Sequence, residues 1–503
     1  VSAPLGIHLD PRAEEPLYRQ LFDAVVARIH TGTFPPGFRL PPTRDLAREL
    51  GVHRNTVVRA FEDLESAGFL ISAVGRGTFV ADVPKPAGAA APLQGGPMPW
   101  ASLASRAAQA EALARAERLW AGPPRLDAVN LATMAPSPDL LPHALFRRCL
   151  EHALRSGRGR ALGYSPREGV PRLREQIAVD LARQGVPVPA EDILVTTGSQ
   201  QALDLVVRAL VDPGDPALVN ETTYQGALSL LSIGGARIIG VPNDEEGPEL
   251  QAVRRYSASG AKLLYLMPSC QNPIGCRMSQ RRREELVAWS HESGVPLVED
   301  DYASDLELDG GPPLTPLRAL DREVLYFGTY SKKLMPSLRI GYLVCPPGLR
   351  DALFRLKQAM DLGTSALLQH ALAEFLERGW LAAHLQTVRA EYRRRRDALE
   401  EGLRRHLPRW VRWKRPEAGM ALWIPAPGLD VAALHAEALK QGVLFSPSLL
   451  YEVGGESRQG LRLTFGAEPP ERLVEGARRL GRAFAGAERR GRSRAAPAAL
   501  GFV

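Results

Sequence analysis

Six short runs rich in β-branched and aromatic residues, DILVTTG, PALVN, ARIIGVP, KLLYLMP, VPLVEDD and VLYFGTYS, alternate with stretches of helical periodicity between residues 192 and 331. Strands spaced by crossover helices can be buried together only as a mostly parallel sheet with helices on its faces, so this part of the chain is read as an α/β domain. The pattern changes after about residue 350. Long charged helices, including AEYRRRRDALEEGLRRHL, there precede the shorter strands MALWIPA and GLRLTFG, which predicts a smaller α+β domain. Within that helix, Arg393 to Arg396 are read as a solvated face.

A different grammar precedes the sheet. Leu17, Leu21, Val25 and Ile29 at helical spacing predict an amphipathic helix over 16–31, which TFPPGFRLPP breaks. TRDLAREL follows with Thr43 as its expected N-cap, Gly51 fits a tight turn, and Arg54-Asn55-Thr56 opens a second helix that ends at Ala67-Gly68. FLIS and GTFVAD are two expected strands joined by Ala73-Val74-Gly75-Arg76-Gly77, a glycine-bearing hairpin. The layout is that of a winged helix-turn-helix, whose second helix offers its N-terminal side chains to base edges in the major groove of double-stranded DNA.

At 503 residues the chain is too long for one core, and 45% apolar with 24% charged residues places it among folded globular proteins. The expected division is 1–83 winged helix, 84–125 a Pro-, Ala- and Gly-rich linker with a helical stretch ASLASRAAQAEALARAERLW, 126–350 the large domain, 351–485 the small domain, and 486–503 a basic disordered tail. The net charge of +7 is unevenly placed: residues 1–83 hold nine arginines against ten carboxylates, so the reading head carries −1. Positive charge still gathers between 39 and 59, where five arginines meet only Asp45 and Glu49. Four cysteines with no metal-like spacing argue against a disulfide framework and a structural metal. The N-terminus lacks the layout of an export signal and no apolar run is long enough to span a bilayer, so a cytoplasmic protein with no membrane association is expected.

The segment GTYSKKLMPSLRIGY, residues 328–342, carries the chemistry. Ser331-Lys332 followed seven residues later by Arg339 is a spacing that presents a lysine to pyridoxal phosphate and bends an arginine back to its phosphate. The other demands of that cofactor are also met. Asp300, at the carboxyl edge of the run VPLVED, is placed to face the ring nitrogen and keep it protonated. Tyr302 and Asn272 are within reach of the phenolic oxygen, and Tyr224 is a candidate to stack on the ring. GSQQALDL starts a helix directly after a strand, so Ser199 and Gln200 with the helix N-terminus form an anion site.

In this order these motifs resemble a known constellation. Residues from roughly 126 to 480 are similar to fold-type I, aspartate aminotransferase-like proteins, and residues 12 to 83 to a GntR-family winged helix; joined so, they resemble the MocR-type subfamily of GntR transcriptional regulators. The resemblance implies Lys332 as the lysine that forms the aldimine, Asp300 at the ring nitrogen, Asn272 and Tyr302 near the phenolic oxygen, Tyr224 as the stacking ring, and Ser199, Gln200, Ser331 and Arg339 around the phosphate. It implies that Tyr164 reaches the phosphate of a second subunit, hence a homodimer, and that Arg462 takes the carboxylate of an amino acid or amine effector. In the head it implies DNA contacts by Arg44, Arg54, Asn55 and Thr56, with Gly75 and Arg76 on the wing. Val58 stands where some relatives have arginine, so base preference does not carry over, and GYSPREG lacks an aspartate that many relatives have before the proline. Arg462 as a strand anchor and Tyr224 as a core tyrosine are the plainer readings of those two residues. Three functions fit the sequence: a regulator that senses an amine by aldimine exchange, a working aminotransferase that also binds DNA, and a regulator that reads the cofactor itself.

Overall fold

The computed structural model describes residues 5–495, apart from 12, 14, 74–76, 83–97, 99, 111, 114–126, 157–158, 312–313 and 454–458, and at 101 and 488–495 the backbone only. Two units emerge, Val1–Ser102 and Leu103–Val503. In the first, helices α1 (Leu17–His30), α2 (Thr43–Leu50) and α3 (Arg54–Ser66) precede the antiparallel pair β1 (Leu70–Ala73) and β2 (Gly77–Val80), with Leu70 opposite Val80. Leu21, Val25, Leu46, Val57 and Leu64 are buried together at its centre, each contributing about 1.5–3 kcal/mol of transfer free energy. The chain entering α2 lies along β2, with Gly37 N donating to Val80 O at 2.9 Å and Leu40 N to Thr78 O at 3.0 Å. Pro42, not Thr43, caps α2: its φ of −54° and ψ of 142° put the break one residue earlier, and Thr43 is already helical. Gly51 ends α2 at φ 67°, a left-handed turn that glycine adopts without strain. The hairpin tip with Gly75 and Arg76 lies outside the described residues.

Of the expected helical stretch that follows, Trp100–Leu103 forms a helix, turns lie at 106–109 and residues 112–113 are helical, while 111 and 114–120 lie outside the described residues. In the second unit β3 (Val129–Asn130) opens the chain. A seven-stranded sheet then runs β4 (Ile193–Thr196), β10 (Gly341–Val344), β9 (Leu325–Thr329), β8 (Leu297–Asp301), β7 (Leu264–Leu266), β5 (Pro216–Asn220), β6 (Arg237–Val241). Only β10 is antiparallel to its neighbours. Its glycine makes the pairing possible, because a Cβ on Gly341 would meet the Gly198 carbonyl carbon at 2.7 Å. A three-stranded sheet, β11 (Ala421–Pro425), β14 (Gly460–Thr464) and β13 (Ser446–Pro447), and the parallel pair of β12 (Val443–Leu444) with β3 form the smaller lobe.

Packing redraws three expectations. The lobe boundary at 350 does not divide contacts: helix Arg350–Asp361 packs on Ser199–Leu210 and helix Ala366–Glu377 on His143–Ser156, while Val129–Asn130 joins the small lobe. The run Arg393–Arg396 is a solvated face only in its first half: Arg393 and Arg394 are exposed, while Arg395 is 1% and Arg396 0% exposed. Segments distant in the chain meet helix Trp380–His406, so Arg395 meets Asp139 at 2.8 Å, Glu391 of its own helix at 2.6 Å and Gly466 O at 2.9 Å, and Arg396 meets Asp309 at 2.6 Å and Pro416 O at 2.8 Å. Five guanidinium donors per residue make such stitching available once carboxylates and carbonyls surround them. The last helix, Pro470–Ala495, continues ten residues into the segment expected to be disordered, as its arginine- and alanine-rich composition permits; 496–503 lie outside the described residues.

Candidate cofactor cleft and DNA-reading surface

The cleft lies at the carboxyl ends of the parallel strands, where backbone leaves the sheet and side chains can converge. Asp300, on β8, receives a hydrogen bond on Oδ2 from Tyr265 of β7 at 2.7 Å, while its buried Oδ1 has no partner. Burial pushes this carboxyl up to about 7, against the opposing Tyr265 hydrogen bond. Lys332, just past β9, donates from Nζ to Met134 O at 2.6 Å. Burial first, then the charges of Arg462 and Arg339, lower its ammonium to about 8. Its neighbour is different in kind: Lys333 is buried against Asp305 and Asp180, and those charges raise it well above the ordinary lysine range despite burial. Of the two adjacent lysines only Lys332 is poised to lose its proton near neutral pH.

The anion end is built from backbone. Helix Ser199–Leu210 begins after Gly198 at φ 87°, and its first-turn N–H groups have no intrahelical acceptor. Arg339 sits in the left-handed region at φ 47° and reaches over that turn, with Nη2 donating to Thr197 O at 3.1 Å. A Cβ at position 198 would meet Arg339 Nη2 at 2.8 Å, so a glycine is needed under the guanidinium. Ser331 Oγ is buried nearby without a partner. The Gln200 side chain donates to Gly226 O at 3.2 Å and accepts from Tyr224 at 3.1 Å, which leaves its backbone N–H as the group an anion can use. Gly226 gives Tyr224 its place, since a Cβ there would meet the ring at 2.5 Å.

Arg462, on β14, is 7% exposed and donates to Asn272 Oδ1 at 3.0 Å, Ala132 O at 2.7 Å and Ser446 Oγ at 3.1 Å, with its Nε unpaired and its guanidinium 5.2 Å from the Tyr451 ring centroid. No carboxylate among the described residues neutralises it. Tyr302 donates to Cys270 Sγ at 3.4 Å. Tyr164 does not join the cleft of its own chain and stands 88% exposed. Asp300 Oδ1 as an unpaired acceptor for a ring N–H, unpaired donors at Ser331 Oγ and Arg462 Nε, and a free helix turn fit the polar groups of pyridoxal phosphate. Tyr265, Gly198, Gly226, Cys270 and the carbonyls of 132 and 134 were not legible as site residues, because each contributes through a partner far away in the chain. Among the described residues no group of acidic, His and Cys side chains has the arrangement to hold a metal ion.

In the head, α3 presents Arg54 and Asn55 exposed and Thr56 half-buried at its N-terminus, and Arg44 is exposed on α2. His53 Nδ1 caps α3 by accepting from Asn55 N at 3.2 Å. Arg59 is engaged by Tyr18, 3.9 Å from its ring centroid, and Arg48 by Asp45 at 3.5 Å, whereas Arg44 and Arg54 have no side-chain partner of either kind among the described residues.

Comparison with known proteins places both units. Residues 129–480 match aminotransferase class I and II, and residues 17–80 match the bacterial regulatory proteins of the gntR family. The "Probable rhizopine catabolism regulatory protein MocR" of Rhizobium meliloti is 35% identical over 95% of both chains. The 2-aminoadipate transaminase of Thermus thermophilus is 36% identical, covering 71% of this chain and 89% of that one. The crystal structure of LysN, the alpha-aminoadipate aminotransferase of Thermus thermophilus complexed with N-(5'-phosphopyridoxyl)-L-leucine, superposes with a TM-score of 0.71 at 34% identity over 78% of this chain and 99% of that one.

Proposed function

The chain belongs to the MocR-type subfamily of GntR regulators, DNA-binding proteins that carry a pyridoxal phosphate-dependent, aminotransferase-like domain of fold type I, and from that premise we propose that its cleft senses an amino acid and its head reports the result to an operator. The observation that carries this reading is the convergence of Lys332, Asp300 Oδ1 and Arg462 on one cleft, an amine, a ring-nitrogen partner and a carboxylate receptor. When bound, pyridoxal phosphate supplies an aldehyde carbon for which Lys332 and an incoming amine compete, and a ring that withdraws electrons. Lys332, lowered to about 8, keeps a larger neutral fraction near pH 7 than an ordinary lysine and so is the better nucleophile. Asp300, with one oxygen oriented by Tyr265, holds a positive ring nitrogen on the other. The first turn of Ser199–Leu210, Ser331 and Arg339 hold the phosphate. Arg462 rests on carbonyl and hydroxyl oxygens that a bidentate carboxylate outcompetes, which selects an acidic amine ligand.

Exposed Tyr164 supports a homodimer in which it completes the partner's phosphate site. Arg44, Arg54, Asn55 and Thr56 with the wing residues Gly75 and Arg76 then read double-stranded DNA, in the cytoplasm where an operator is found. Coupling requires that the effector bind the two head arrangements with different affinity. A second reading, turnover as a transaminase, draws on the 36% identity to the 2-aminoadipate transaminase.

The test is a parallel titration of the visible cofactor absorbance and of operator binding with amino acids, in the wild type and in Arg462→Ala. Wild type is expected to respond in both signals, and Arg462→Ala to keep its cofactor and lose the amino acid response. Absence of any amino acid response, with operator affinity following cofactor addition alone, sinks the amino acid reading. Stoichiometric conversion of an amino acid and a keto acid over many cycles moves the assignment to the second reading.

A further inference from the structure

The reading head carries −1 by formal charge, so against a net +7 for the whole chain residues 84–503 carry +8. In the small lobe's first half, the longest part of that charge uninterrupted by a carboxylate lies at the end of helix Trp380–His406 and in the loop that follows. Between Gly402 and Pro416 there are six Lys and Arg and no carboxylate, interleaved with Trp410 and Trp413 in RRHLPRWVRWKRP. A solvated helix end would account for Arg404 and Arg405, since cations complement the carbonyl end of a helix. It does not account for Arg409, Arg412 and Lys414, which lie beyond the helix.

The tertiary structure holds this loop open to solvent. Buried Glu400 accepts from Trp413 Nε1 at 2.9 Å and pairs with Arg404 at 3.3 Å and with Arg415, while Asp397 meets Arg415 at 2.7 Å. Trp410, 49% exposed, packs its ring 6.1 Å from Phe484 of the last helix. The tryptophans and two arginines therefore anchor the loop, and Arg405, Arg409, Arg412 and Lys414 remain exposed with no carboxylate partner among the described residues. Arg409 and Arg412 rim a cleft of about 370 Å³. The helix that Trp410 packs against runs on from Phe484 to Ala495 through RRGRSR, a segment with four further arginines.

We propose that this small-lobe surface binds the phosphodiester backbone of duplex DNA outside the tract read by the winged helix. A duplex presents about one negative charge per 1.7 Å of axis, which Arg405 at the helix end and Arg409, Arg412 and Lys414 on the loop complement in sign, and the near-neutral head leaves the phosphate attraction to another part of the chain. Single-stranded nucleic acid fits less well, because Trp413 is tied to Glu400 and Trp410 is held edge-on against Phe484, so neither indole can turn to follow successive bases along a strand.

The experiment uses the full-length, cofactor-loaded protein and Arg405→Gln/Arg409→Gln/Arg412→Gln/Lys414→Gln, none of which touches the cofactor cleft. Binding to duplexes centred on the operator is followed by anisotropy over a sodium chloride series, with one duplex of about two helical turns, the span of paired half-sites that the heads occupy, and one about three times longer. Wild type is expected to bind the longer duplex with the steeper salt dependence. The variant should keep its affinity for the short duplex and lose roughly 0.9 in the log–log salt slope on the long one for each phosphate contact removed. Equal slopes for the two proteins on the long duplex, or an equal loss on both lengths, overturn the proposal. So does a variant unchanged on DNA that has lost binding to phosphatidylglycerol vesicles, which would assign the surface to an anionic lipid.

Discussion

The cofactor cleft and the reading head use arginine in opposite settings. Arg462 is buried among an amide oxygen, a carbonyl and a hydroxyl, whereas Arg54 stands exposed at the first turn of α3 with no partner among the described residues. A buried charge has to be satisfied by the fold or by a ligand, so the cleft's geometry is itself informative about what it receives. An exposed charge is indifferent to the fold, and its position gives information only relative to the DNA it meets. The same contrast recurs between neighbours in the cleft, where Lys333 is locked by Asp305 and Asp180 and Lys332 donates only to a carbonyl.

The sharpest way to break this contrast is to remove each lysine in turn. Lys333→Ala removes a buried cation from two partly buried carboxylates and is expected to cost up to about 3 kcal/mol of stability, read from the urea midpoint. Lys332→Ala is expected to leave a folded protein that no longer yields a borohydride-fixed cofactor peptide. If Lys332→Ala retains that peptide and Lys333→Ala loses it, the roles of the two are reversed.

A pH series sharpens the same point at Asp300. Its carboxyl, raised by burial to about 7 from 3.8, binds a proton more tightly in the folded than in the unfolded chain. The resulting stabilisation is fully present below the unfolded value and is lost as pH rises through the folded value, so the cofactor-free protein should lose stability between about pH 4 and 7, by at most about 4 kcal/mol from this group. Glu299, also raised to about 7 by burial, contributes with the same sign, so the comparison is with Asp300→Asn, which should show a shallower fall. Parallel pH profiles for the two proteins contradict the shifted carboxyl.

In the head the effect belongs to binding rather than to folding. Arg54→Ala is expected to shift the unfolding free energy by no more than about 0.5 kcal/mol, as for an exposed side chain. It should weaken operator binding by about 1–3 kcal/mol if its contact is bidentate to a guanine. Equal weakening on operator and random DNA would make it a phosphate contact instead.

Much of the fold was legible because its signals are local. The β-branched runs became the strands of the large sheet with their parallel order, and the two short helices before the hairpin formed with boundaries within a residue or two of those expected. The strand Gly341–Val344 was not read, since its only mark was a four-residue stretch just past the lysine loop, and it alone runs antiparallel. Thr43 lost the cap to Pro42 because backbone restriction at a proline outweighs a side-chain oxygen one position later.

By itself the sequence determined the order of the two units, the kind of cofactor and the set of polar residues available to it, because strand periodicity, turn chemistry and the Ser331-Lys332 to Arg339 spacing are properties of neighbours in the chain. Only the tertiary structure decided which of those groups are satisfied. Arg395 and Arg396 changed from an expected solvent face to buried ties because Asp139, Gly466, Asp309 and Pro416 arrive from distant segments. Asp300 acquired its raised carboxyl because the sheet excludes water from it, and this outweighs the hydrogen bond that Tyr265 donates to one oxygen from β7 beside β8. Burial and long-range pairing set the protonation and orientation of a group, and neither is a local property of the chain.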